Sequence, residues 1–366
     1  MSRPTRVLIS GYYGCGNAGD EAILAGLIEG MRELAPEAEL TVLSGDPGGT
    51  MAEHGVVAVP RGPLSARRHV RSSDLVISGG GGLLQDVTSW RSPLYYLAVM
   101  WVARATGRPV AFVGQSVGPL RRSVIRWLAR RVLSGVEVLA VRDRLSRDAL
   151  LDLGLGRQAE VTADLAFLMP RPKEEEIGAA RRKAGLSACE EPVAAVALRP
   201  DPEGGSGEAM AALLGEAIGT VCQELGLRPL LVAMQPSRDL EFSRKVAAAM
   251  PSQAAAMAPA MPARELFALV AGCDLLIGMR LHALVFAAGA AVPLVAISYD
   301  PKVDGLMEQL GLEPAPSLKR LDSATLKQAI RVAWEGRAAA RAALTEQAAK
   351  LRAAALRNVE AAIRLL

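Results

Sequence analysis

Short apolar runs bounded by turn residues recur along this chain, each followed by enough polar-apolar sequence for a helix. In the first half the runs are Arg6 to Ser10, Leu40 to Leu43, Leu75 to Ser78, Val110 to Gly114 and Val138 to Arg142. A second series comprises Val193 to Leu198, Pro229 to Ala233, Asp274 to Ile277 and Pro293 to Ile297. Continuous apolar strands alternating with helical stretches predict parallel sheets with helices on both faces. Two series predict two α/β domains, over residues 1–170 and 193–320. Between them, the proline-bearing, charged stretch MPRPKEEEIG loses its apolar period, which predicts a linker over 171–192. Beyond Leu318 the chain turns rich in Ala, Arg, Leu and Glu, so residues 321–366 are expected to form helices that pack back on the first domain.

The chain's 366 residues are 51% hydrophobic and 22% charged, a globular balance with enough length for two cores. A net charge of +4 spread along the chain and only 4% aromatic residues leave little to grip or stack nucleic acid. Cys15, Cys189, Cys222 and Cys273 lie far apart without CxxC spacing, as expected of reduced thiols in the cytoplasm rather than a zinc site. MSRPTRVLIS enters a strand directly, without the apolar core of a secretory signal. The longest apolar runs, such as Leu94 to Ala103, fall short of the ~20 residues of a membrane span.

In open parallel sheets ligands bind beyond the carboxyl ends of the strands, and here those positions are glycine-rich. Gly11 to Glu21 (GYYGCGNAGDE), Gly79 to Asp86 (GGGGLLQD) and Gly114 to Pro119 (GQSVGP) follow the first, third and fourth runs. Such loops let backbone N–H groups approach an anion or a sugar, which makes Gly14, Gly16, Asn17, Gly19, Asp20, Gly80, Gly81, Gln85, Gln115 and Ser116 candidate substrate contacts. Gly14 to Gly19 also matches GxGxxG, but Asp20 and Glu21 stand where a pyrophosphate would sit. The nearest ribose-binding acid, Asp46, follows Gly19 by 27 residues, against about 20 in dinucleotide folds. Asp20 is either a helix cap or a contact for a sugar hydroxyl.

The stretch GMRLHALVFAAGAAVPLVAISYDPK sets Arg280 and His282 at a helix entrance and Lys302 just past the next strand. Cations interrupting an apolar run need an anion, and no acidic residue lies between Asp274 and Asp300 to supply one. This points to phosphate or carboxylate chemistry. Arg142 and Arg199 end strand-like runs and either enter the same crevice or form structural ion pairs. Asp86, beside the four glycines, is the candidate general base, with a capping role as the alternative.

Together, GYYGCGNAGDEA, SGGGGLLQDVTS, GQSVGP, VRDRLS, VTADLAF, GMRLHALVFA and ISYDPKV resemble the polysaccharide pyruvyl transferase family, most closely its bacterial cell-wall, CsaB-type branch. The motifs span residues 11 to 303. Cys15 stands where relatives are expected to carry a bulkier residue, and Leu165 where proline is expected. The resemblance implies a glycosyltransferase-B-like architecture, with two Rossmann-like domains whose parallel sheets face across a cleft. It also implies phosphoenolpyruvate as a substrate and a lipid-diphosphate-linked glycan acceptor, β-N-acetylmannosamine being the sugar that becomes a 4,6-linked ketal. By the same resemblance, Arg280 and His282 bind the donor, with Lys302 beside them and Arg142 and Asp86 completing the catalytic set.

Ketal formation needs a proton donor, a base near the hydroxyl and cations for carboxylate and departing phosphate. His282, Asp86, Arg280 and Lys302 supply these types, so neither a cofactor nor a metal is expected. Two other functions fit the same residues: a nucleotide-sugar glycosyltransferase, and a non-catalytic glycan or phosphometabolite binder. In LRRSVIRWLARRVLSG, Arg122, Arg126 and Arg130 recur every four residues near Trp127. A helix there carries a cationic stripe, either solvated or resting on an anionic membrane.

Overall fold

The computed structural model describes residues 3–87, 89–155, 159–186, 190–200, 207–251, 255–313 and 316–366. Cys189 lies outside them. The chain divides into two compact units: unit 1 holds Met1–Pro170 with Leu351–Leu366, and unit 2 holds Arg171–Lys350.

Unit 1 is built on strands β1 (Arg6–Tyr13), β2 (Glu39–Ser44), β3 (Val57–Pro60), β4 (Leu75–Leu84), β5 (Val110–Val117), β6 (Val138–Val141) and β7 (Glu160–Val161). They form one sheet in the order β3-β2-β1-β4-β5-β6-β7, parallel throughout. Between strands run helices α1 (Ala18–Leu34), α2 (Pro47–His54), α3 (Pro63–Ser72), α4 (Arg91–Ala105), α5 (Ser123–Leu133) and α6 (Arg144–Asp152). Leu8, Val76, Val110 and Phe112 share a core with Val70 of α3, Met100 of α4, Ile125 and Ala129 of α5 and Leu150 of α6, so these four helices cover one face. Against α1 packs the turn at Leu165–Leu168, so closely that a Cβ on Gly26 would come within 2.0 Å of the Leu165 carbonyl oxygen.

Unit 2 repeats the scheme with β8 (Val193–Ala197), β9 (Arg228–Leu231), β10 (Ala256–Met257), β11 (Leu275–Gly278) and β12 (Leu294–Ala296), parallel and ordered β10-β9-β8-β11-β12. Its helices are α7 (Glu174–Lys183), α8 (Glu208–Glu224), α9 (Pro236–Ala248), α10 (Ala263–Ala271), α11 (Leu281–Ala290), α12 (Pro301–Leu310) and α13 (Ser323–Glu335). A last helix, α14 (Arg337–Ile363), leaves unit 2 and ends in unit 1. There the buried Asn358 accepts from Gly114 N at 2.9 Å and from Thr162 Oγ1 at 2.9 Å.

In both sheets the chain order reverses at one place, between β1 and β4 in unit 1 and between β8 and β11 in unit 2. A crevice opens at such switch points, outside the carboxyl ends of the strands.

The structure differs from the sequence expectations in three places. Residues 171–192 are not a bare linker: Lys173 N donates to Glu176 Oε2 at 2.7 Å and starts α7, which packs on α10 inside unit 2. The edge strands β3, β7 and β10 escape prediction because four or two residues show no period. The arginine stripe on α5 is also partly engaged: Arg122 donates to the Asp86 carbonyl (2.9 Å) and Arg126 to the Asp152 carbonyl (2.9 Å).

Candidate functional site

In unit 1 the loop after β1 turns on Gly14 and Gly16, both with left-handed φ. Ser44 Oγ would lie 2.1 Å from a Cβ on Gly14, so only glycine fits there, whereas Gly16 opens to free space. Asn17 caps α1 by accepting from Gly19 N at 3.2 Å, and its amide donates to Asp20. Glu21 Oε1 accepts from Gly14 N at 2.8 Å. The protein's own carboxylates thus occupy the ground a pyrophosphate would need, which excludes the dinucleotide reading of GxGxxG. Gly80 and Gly81 carry β4 past this point, and a Cβ on Gly81 would sit 2.8 Å from Asp20 Oδ1.

Several residues proposed from sequence are committed elsewhere. Asp86 is buried and accepts from Arg121 N (2.8 Å) and Arg122 N (2.7 Å), which makes it the anchor of the turn before α5 rather than an available base. Arg142 is buried between Asp164 (3.0 Å) and Asp143 (3.3 Å). Burial works against its charge, but Asp164 and then Asp143 raise its pKa above the ordinary arginine value. It is a structural ion pair, not an anion-binding group. Gln115 is fully buried and donates to the Ser78 carbonyl (2.9 Å) and hydroxyl (2.7 Å), tying β5 to β4. Ser116 is buried beside Ser146. Gln85 Oε1 accepts from Val87 N at 2.9 Å and holds a turn.

At this edge lies a partly buried cluster that joins Tyr12 and Cys15 of the glycine-rich motif to Arg61, Tyr95 and Tyr96, which no motif marks. Arg61, the residue after β3, lies over the rings of Tyr12, Tyr95 and Tyr96, with centroid distances of 5.6, 5.0 and 5.9 Å. Its Nη1 donates to Cys15 Sγ at 3.3 Å and its Nη2 to Tyr96 Oη at 3.4 Å. Burial pushes the Cys15 thiol pKa up, while Arg61 pulls it partly back. In the sequence, Tyr12 and Cys15 are marked by the GYYGCGNAGDE loop and Tyr95 and Tyr96 only by their pairing, while nothing marks Arg61. Nearby, Glu21, Glu53 and His54 bring ligand-type atoms within 4.8 Å of one another, a grouping the spacing did not suggest. Glu21 Oε2 lies 3.3 Å from His54 Nε2, and with Oε1 on Gly14 N this carboxylate ties α2 to the glycine loop.

In unit 2 the predicted cations follow strands β8, β11 and β12, at the carboxyl edge of the sheet. Arg199 follows β8, Arg280 follows β11, and Lys302 begins α12 after β12. Arg199 Nη1 donates to Tyr299 Oη at 3.1 Å with its guanidinium 4.8 Å from that ring's centroid, and Asp300 caps α12 by accepting from Lys302 N at 3.0 Å. Arg280 precedes α11, whose start has no side-chain cap, and His282 lies in its first turn. Uncapped N–H groups at a helix start, next to cations, suit an anion.

One expectation about Arg280 is overturned. Its counter-ion exists and comes from 41 residues upstream: Asp239 of α9, fully buried, accepts from Nε at 3.0 Å and also from Nη2. The fork that sequence reasoning assigned to substrate holds a carboxylate of the protein itself.

Among the described residues, no helix is long and apolar enough to cross a membrane. A family model described as polysaccharide pyruvyl transferase matches residues 17–301. The chain is similar to the amylovoran biosynthesis protein AmsJ of Erwinia amylovora, at 25% identity over 84% of this chain and 86% of that one. Its fold is similar to that of Anabaena HepE in complex with UDP-glucose, with a TM-score of 0.63, 16% identity and 98% of both chains covered. It is also similar to UDP-GlcNAc 2-epimerase from Neisseria meningitidis bound to UDP-GlcNAc, with a TM-score of 0.65, 10% identity, and 98% of this chain and all of that one covered. The fold is thus glycosyltransferase-B-like, two α/β units with parallel sheets.

Proposed function

This chain belongs to the polysaccharide pyruvyl transferase family, and we propose that it transfers the carboxyethylidene group of phosphoenolpyruvate to a glycan sugar, forming a 4,6-linked ketal and releasing phosphate. The observation that carries this reading is the carboxyl edge of the unit 2 sheet. Arg199, Arg280, His282 and Lys302 all follow strands of that sheet, and the start of α11 has no side-chain cap. A small dianion with a carboxylate suits that set better than a neutral sugar does.

The reaction balances without an oxidant. One acceptor hydroxyl adds to C2 of the enol while the methylene carbon takes a proton and becomes methyl. The second hydroxyl replaces phosphate at the same carbon, and its proton leaves with the phosphate. His282 is the donor-side group able to deliver the methylene proton, and the cations stabilise charge on carboxylate and leaving phosphate. Arg280, held by Asp239, acts from a fixed position through the part of its guanidinium that Asp239 leaves open.

In unit 1 the rings of Tyr12 and Tyr95 and the open loop at Gly16 form the acceptor side, with Asp20 and Asn17 as hydroxyl contacts. A β-N-acetylmannosaminyl unit of a lipid-diphosphate-linked cell-wall precursor is the proposed acceptor. Protein incubated with phosphoenolpyruvate and a β-N-acetylmannosaminyl disaccharide should release phosphate, and mass spectrometry should show the added carboxyethylidene group. Phosphate release without that adduct, or glycosyl transfer from a UDP-sugar instead, would refute the reading.

A further inference from the structure

Between Asp86 and Glu137 the chain carries eight arginines and no acidic residue. The same stretch holds three of the protein's four tryptophans, and all three are exposed: Trp90 at 47%, Trp101 at 59% and Trp127 at 63%. Val124, one turn before Trp127, is 65% exposed. Tryptophan is highly buried on average in folded proteins, so three on one surface segment are unusual.

The fold gathers these residues on the outer helices of unit 1. Helices α4 and α5 pack side by side, and Arg104 Nη1 pins one to the other by donating to the carbonyls of Arg131 (3.3 Å) and Val132 (3.0 Å). Ile125, Ala129, Val132 and Leu133 take the buried side of α5, which leaves Val124 and Trp127 outside. Arg91, Arg121, Arg130 and Arg131 are exposed, and among the described residues none has a carboxylate within ion-pairing distance.

We propose that this α4–α5 face docks on an anionic lipid bilayer, with Trp101, Trp127 and Val124 at headgroup depth and the four arginines on lipid phosphates. Indole rings favour that depth because one edge is apolar and the N–H stays hydrated. Basic side chains beside them gain from the negative surface potential of such a membrane. A second copy of this chain is a poor partner, since pairing like faces would oppose arginine to arginine. Nucleic acid would meet the arginines but offer no apolar phase to Val124. The proposal is independent of the reaction proposed above, because it uses none of those residues.

The test is co-sedimentation of the full chain with phosphatidylcholine vesicles, with and without phosphatidylglycerol, at low and high salt. Wild type should bind the anionic vesicles, bind plain phosphatidylcholine weakly and lose affinity as salt rises. W101A/W127A, which keeps every charge, should lose about tenfold in partition. R121A/R130A/R131A should lose at least as much, while R121K/R130K/R131K should keep wild-type binding because the attraction is to charge. Unchanged melting temperatures would show that these exposed substitutions leave the fold intact. Equal partition of wild type and W101A/W127A would overturn the proposal. So would binding to duplex DNA at the same salt by a protein that ignores anionic vesicles.

Discussion

Asp239, fully buried on α9, holds Arg280 by two nitrogens of its guanidinium, and so ties the entrance of α11 to the helix after β9. Both carboxylate oxygens are thereby engaged, and Gln235 N donates to Oδ2 as well, at 2.8 Å. Removing the cation strands a buried anion, a loss of about 3–5 kcal/mol for a broken buried pair. Arg280→Ala is therefore expected to lower the melting temperature as well as abolish turnover, and Arg280→Lys to rescue poorly because an ammonium cannot span two oxygens. An Arg280→Ala protein that melts like wild type would contradict this pairing.

His282 sits in the first turn of α11, on the donor side of the proposed reaction. If it delivers the methylene proton, His282→Gln should reduce kcat by about 10²- to 10⁴-fold and leave phosphoenolpyruvate affinity nearly unchanged. Single-turnover kinetics with a separate binding titration would tell. A defect confined to affinity would make His282 a binding residue instead.

The Asp86 carboxylate serves two backbone N–H groups, so its loss should register in stability rather than in chemistry. Asp86→Ala removes the charged acceptor of both N–H groups, at a cost of about 1–3 kcal/mol. Chemical denaturation should show a lower midpoint, while kcat at a temperature where the variant remains folded should stay near wild type. A loss of kcat by orders of magnitude in folded protein would restore Asp86 as a general base.

Arg61 joins the tyrosine rings to Cys15, and both ends of that contact can be read. Arg61→Ala is expected to raise the acceptor KM by about tenfold while sparing donor affinity, since cation–π and hydrogen-bond contacts of this kind are worth roughly 1–2 kcal/mol. Burial raises the Cys15 pKa and Arg61 lowers it, so the thiolate fraction at pH 8 should be below that of a free cysteine, and lower again without the guanidinium. Site-resolved mass spectrometry of iodoacetamide labelling should find Cys15 slow in wild type, slower in Arg61→Gln, and faster in both as pH rises. Faster labelling in Arg61→Gln at equal exposure would reverse the assigned electrostatics.

Much of the architecture was legible in the residues alone. Continuous apolar strands such as Val193–Ala197 can exist only with helices on both faces, and the residues after such strands lie at the binding edge by topology, so Arg199, Arg280 and Lys302 could be placed without coordinates. The seven separated motifs likewise span most of the region matched by the family model. Partnership across long stretches of chain could not be read in this way. Asp239 lies 41 residues from Arg280, Asp164 lies 22 from Arg142, and Arg61 lies 46 from Cys15, and no local period records such distances. Only the packed fold decides which charges meet a partner, because burial removes water and each buried polar group must then find one within the protein. For that reason Asp86 and Arg142, chemically suited to a reaction on paper, became parts of the scaffold, while Arg61, which no motif marked, lies half-buried among tyrosines.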